Sequence, residues 1–73
     1  MEREYYIEFE VKGDDLPYVI QSKWFNKPQY ALEWMKENLP HIDDDKMNVY
    51  IMMKNDFDDI EQFCKVVNYQ MIF

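Results

Sequence analysis

From Arg3 to Lys12 the chain alternates without a break. Tyr5, Ile7, Phe9 and Val11 fall on one parity, and Glu4, Tyr6, Glu8, Glu10 and Lys12 on the other. Successive side chains of a strand point to opposite faces, so this stretch predicts a half-buried strand with an acidic outer face. A sheet with one covered side and one open side is the frame into which the rest of the chain has to fit.

The only glycine, Gly13, opens "GDDLP", a turn cluster. "YVIQSKWF" then reads as a second strand with Tyr18, Ile20 and Trp24 in phase, giving a hairpin, while Val19 and Phe25 take the opposite side. "NKPQYALEWMKENLP" predicts a helix. Asn26 is placed to cap the first amides, Gln29 completes a capping-box pattern, and Pro28 sits in the first turn, where its missing N–H costs nothing. Ala31, Leu32, Met35 and Leu39 share a stripe that Tyr30 and Trp34 widen, with Glu33, Lys36 and Glu37 on the wet side, and Pro40 ends the helix.

"MNVYIMMK" alternates Met47, Val49, Ile51 and Met53 against Asn48, Tyr50, Met52 and Lys54, and is apolar enough on both sides for a central strand. "NDFDDIEQFCKVVN" predicts a second helix. Asn55 or Asp56 would cap it, and Asp58, Asp59 and Glu61 would lie near the positive end of its dipole. Phe57, Ile60, Phe63, Cys64 and Val67 would form its buried stripe, and Asn68 would stop it. "YQMIF" has strand composition and should be tied into the sheet. The predicted order is ββαβαβ, a single α+β domain over residues 1–73 with a four-stranded sheet and two helices packed on one face, because so short a chain cannot cover both faces. Ile7, Phe9, Leu32, Val49, Ile51 and Ile60 are the predicted core, and Trp24, Trp34, Phe57 and Phe63 also fit core faces.

Fifteen Asp and Glu against eight Lys and Arg leave a net charge of −7, which repels nucleic acid and anionic membranes and favours basic partners. The longest apolar run, "VYIMM", is far shorter than the roughly 18 residues of a membrane span. One cysteine makes no internal disulfide, and "MEREYYIEFE" has neither region of a secretory signal, so the cytoplasm is the expected compartment.

The chain's only histidine, His41, stands just before Asp43, Asp44 and Asp45 in "PHIDDDKMN". A calcium loop needs oxygen ligands at its first, third and fifth positions, a glycine at the sixth and a glutamate at the twelfth. Counting from Asp43 puts Met47 fifth and Asn48 sixth, and counting from Asp56 puts Ile60 fifth and Val67 twelfth, so both registers fail. One histidine and one cysteine do not make a zinc set. The segment reads as a solvated loop between helix and strand, with no metal. Cys64 on an apolar stripe is a small hydrophobe rather than a nucleophile, Ser22 has no signature around it, and a single glycine does not cradle phosphate. No cofactor and no enzyme chemistry is indicated.

Two readings remain. The leading one is an acidic protein-binding module, an inhibitor that imitates nucleic acid and occupies the basic site of a nucleic-acid-binding host protein. Its candidate partner-binding residues are Glu4, Tyr6, Glu8 and Glu10 on the outer face of the first strand, Asp14 and Asp15 at its turn, and Tyr50 and Met52 on the same open face. The second is an adaptor or homodimer that uses that face for docking, with charge serving solubility. In size and charge the chain resembles the small acidic proteins that phages make early in infection to disable host factors, a likeness of composition alone.

Overall fold

The structure is a computed structural model and describes residues 3–12 and 19–73. Its elements are β1 (Glu4–Val11), β2 (Val19–Gln21), α1 (Pro28–Asn38), β3 (Met47–Lys54), β4 (Ile60–Val67) and β5 (Gln70–Ile72). The strands form one antiparallel sheet in the order β2-β1-β3-β4-β5. The α+β class agrees with the sequence; the second helix does not, and the element order is ββαβββ. The turn cluster at "GDDLP", with Asp14 and Asp15, lies outside the described residues.

The alternation of β1 decides which face is covered. Its eight residues pair in register with β3, Ile7 opposite Ile51 and Phe9 opposite Val49. Tyr5, Ile7, Phe9, Val49, Ile51 and Met53 are buried on one side, joined by Cys64 and Val66 of β4. α1 lies over this side with Ala31 and Met35 buried, and Leu32, Trp34 and Leu39 are half-buried around them. Pro28 opens α1, as its fixed φ and missing N–H favour. The predicted cap is absent: Lys27 precedes the helix with no side-chain cap bond, and its carbonyl accepts from the amide N–H groups of Tyr30 and Ala31.

The segment expected to form the second helix is instead a hairpin turn and β4. Asn55 does bind backbone amides, but across a turn: its Oδ1 accepts from Phe57 N–H at 2.8 Å and Asp59 N–H at 3.1 Å, while Asp58 takes a positive φ of 63°. The helical spacing of the apolar residues has a cause in the sheet. Ile51 pairs with Cys64, whereas its neighbour Met52 pairs with Gln62, so Phe63 is an extra residue bulged into β4. The bulge puts Phe63 and Cys64 together on the covered side, and a period-2 pattern interrupted in this way imitates a helical one. β-Branched Ile60, Val66 and Val67 and aromatic Phe63 also suit a strand. Three burial expectations fall with the helix. Ile60 and Val67 point to the open face and are exposed, and Phe57 stands on the turn in solvent.

The "HIDDDK" segment is a loop, and a pinned one. Asp43 Oδ1 accepts from Asp45 N–H, Asp44 Oδ2 accepts from Asn68 N–H at 2.9 Å, and Lys12 Nζ donates to the Asp44 carbonyl at 2.8 Å. The Tyr69 hydroxyl donates to the Leu39 carbonyl and accepts from Ile42 N–H. Asn68 and Tyr69 form the two-residue β4–β5 turn, both at positive φ, the geometry whose twist matches a tight hairpin. A tyrosine there is unusual, because a side chain in the left-handed region costs roughly 1–2 kcal/mol, and its two hydrogen bonds to the helix–β3 connection offset that cost.

Candidate protein-binding face

The even-numbered residues of β1 and β3 lie opposite α1, where no element of the described residues covers them. The register lays them out in rows: Glu4 beside Lys54 and Ile60, Tyr6 beside Met52 and Gln62, Glu8 beside Tyr50, Lys65 and Ile72, and Glu10 beside Asn48. Glu8 and Glu10 therefore project from the same strand face about 6.6 Å apart. Tyr50 and Met52 are half-exposed at the centre of the face.

Tyr6 reaches this side but is only 6% exposed. Trp24, beyond β2, folds over it with ring centroids 4.8 Å apart and planes inclined at 68°, an edge-to-face arrangement the ring quadrupoles favour. Burial raises the pKa of the Tyr6 hydroxyl above its ordinary value, and the nearby Glu8 carboxylate raises it further. Trp24 was expected in the core; it is instead the large aromatic that a visitor to this face would meet, with the Lys54 ammonium 5.8 Å above its ring. Parity gave no signal for this: Phe9 pairs with Ile20 but Tyr5 with Phe25, a slip of one residue that sets Trp24 out of phase with the β2 pairing.

The face carries charge of both signs. Glu4, Glu8 and Glu10 line β1, and Lys54 and Lys65 stand across the sheet from them. Among the described residues the one ion pair joins Lys54 to Asp58 at 3.7 Å, and it is solvent-exposed, so the carboxylates of β1 have no cationic partner there. Further exposed acids sit at the β3–β4 turn, Asp56, Asp58 and Asp59, and on β4, Glu61. Lys65 is not legible as part of the face from the sequence, because the apolar spacing of its segment predicts a helix.

The remaining reactive groups are not brought together. Cys64 is buried in the core, where loss of solvent pushes its thiol pKa up, and His41 is exposed on the loop after α1. Among the described residues no three His, Cys, Asp or Glu side chains converge. No helix of the described residues is long and apolar enough to cross a membrane. The fold and face define a small antiparallel α+β domain with an open, mixed-charge sheet surface. Comparison of the chain with family models, curated proteins and solved structures finds no match.

Proposed function

We propose that the chain is an acidic protein-binding module that occupies the basic site of a nucleic-acid-binding protein through the open face of its sheet. The observation that carries this reading is the row Glu4, Glu8 and Glu10, which has no ion-pair partner among the described residues and runs beside half-exposed Tyr50 and Met52 and the exposed Trp24. A row held by a paired strand loses little conformational freedom when it docks. Each rim carboxylate contributes roughly 0.2–1 kcal/mol and a desolvated aromatic considerably more, so Trp24 and Tyr50 supply the affinity and the row selects a basic partner. The pinned loop at Asp43–Asp45 shares the strand's entropic advantage, but two of its carboxylates already accept backbone hydrogen bonds.

The test is capture from lysate with stepwise salt elution, followed by nucleic-acid competition for any captured protein. The expected partner is basic, leaves at moderate salt, is displaced by DNA or RNA, and is lost with Glu8→Lys/Glu10→Lys. A partner that ignores both salt and the double variant would refute the reading. A second reading, self-association, is favoured by Lys54 and Lys65 standing across the same face from the acidic row, since a two-fold operator can lay the acids of one copy on the lysines of the other. A sedimentation profile that stays monomeric at high concentration and low salt would remove it.

A further inference from the structure

The two margins of the sheet are finished differently. Along β1, β2 pairs with Glu8–Glu10, and the chain then continues beside the same strand. Ser22 N–H donates to the Ile7 carbonyl at 2.9 Å, Ile7 N–H donates to Ser22 Oγ at 2.8 Å, and Tyr5 and Phe25 exchange both backbone bonds. That edge is closed as far as Tyr5. On the other side β5 pairs only with Lys65–Val67. Ile60–Phe63 therefore have β3 on one side and, among the described residues, no strand on the other.

The two most exposed large apolar side chains among the described residues bracket this open stretch. Phe57, 86% exposed, stands on the turn before it, and Phe73, 85% exposed, follows β5 with its ring 5.2 Å from that of Phe63. Ile60, on the stretch itself, is also exposed. An unpaired row of backbone groups flanked by solvated aromatics is what an extended segment needs: main-chain bonds along the strand and an apolar contact at each end.

Charge decides between occupants. Glu61 lies within the stretch, and Asp56, Asp58 and Asp59 precede it, with Lys54 reaching only Asp58. A second copy laid antiparallel with Glu61 opposite its own counterpart would set two carboxylates face to face, which is repulsive. A segment bearing lysine or arginine neutralises these acids instead. We propose that Ile60–Phe63 is a β-augmentation edge that takes an extended basic segment of a partner protein, held between Phe57 and Phe73. The proposal adds a second surface to the open face and does not depend on it.

The probe is a capped peptide of alternating lysine and valine, with two controls: glutamate in place of lysine, and proline in place of valine, which keeps the charge but removes strand pairing. Amide hydrogen exchange of the intact protein is followed residue by residue. The lysine–valine peptide should slow exchange across Ile60–Phe63 by about tenfold or more at saturation, and neither control should. Phe57→Ala and Phe73→Ala, both at solvated positions, should each weaken binding on the order of tenfold while leaving the fold intact. Three results would overturn the proposal: no protection at Ile60–Phe63, equal binding of the proline peptide, or self-association of the protein through this edge. Protection confined to Glu4–Glu10 and Tyr50 would refute the edge while leaving the open-face reading standing.

Discussion

Truncating Val66 and Phe57 to alanine separates a strand at residues 60–67 from the helix that the same residues imitate. On the helical stripe Phe57 is a core residue and Val66 is not; in the sheet Val66 is buried in the core cluster and Phe57 stands in solvent. Val66→Ala removes two methyl-sized groups from a fully packed site, about 1.6 kcal/mol of transfer free energy, and incomplete collapse of the cavity raises the loss to about 2–3 kcal/mol. With roughly one seventh of Phe57 covered, Phe57→Ala gives up about 30 Å² of apolar contact, or about 0.7 kcal/mol. A chain of 73 residues has a total stability of about 4–11 kcal/mol, so the first change is a large fraction of it and the second a small one. Urea denaturation followed by circular dichroism should show Val66→Ala with a clearly lowered midpoint at unchanged slope, and a Tm lower by about 8–20 °C. Phe57→Ala should be close to the parent. If Phe57→Ala proved the more damaging, the bulged-strand account of this segment would be wrong.

Tyr69→Phe removes the hydroxyl that joins the β4–β5 turn to Leu39 and Ile42, and should cost about 1–2 kcal/mol, with faster amide exchange at Ile42 as its local signature. Cys64 should react slowly with a thiol reagent in the native state and quickly in urea. Because folding raises its pKa, the associated stability is complete below the unfolded value of about 8.5 and declines as pH rises through the higher folded value, which denaturation midpoints across that range would check. Tyr6 has the same sign: its contribution is whole below about pH 10 and is lost as the pH climbs through its raised folded pKa. Trp24→Ala should uncover the ring and bring the tyrosinate titration, read by ultraviolet absorbance, back toward the ordinary value; an unchanged titration would mean that Trp24 does not shield it.

The sequence by itself determined the parity of β1, because uninterrupted alternation leaves a strand only one way to bury its apolar side, and with it the placement of Ile7 and Phe9 in the core; β3, apolar on both sides, takes its parity from pairing in register with β1, which buries Val49 and Ile51. It also determined α1 from Pro28 onward and the loop character of "HIDDDK", since proline and hydrogen-bonding side chains act within a few residues of themselves. Two matters were decided only by the tertiary structure. The fate of residues 55–68 turned on pairing with β3: the bulge at Phe63 is defined by a partner strand distant in sequence, and without that partner the apolar spacing is as consistent with a helix. The make-up of the open face was decided in the same way. Trp24 covers Tyr6, and Lys65 and Ile72 enter opposite Glu8 and Tyr50, through contacts between strands that no local pattern records. Local chemistry set which residues of β1 turn inward, and strand pairing set which residues meet.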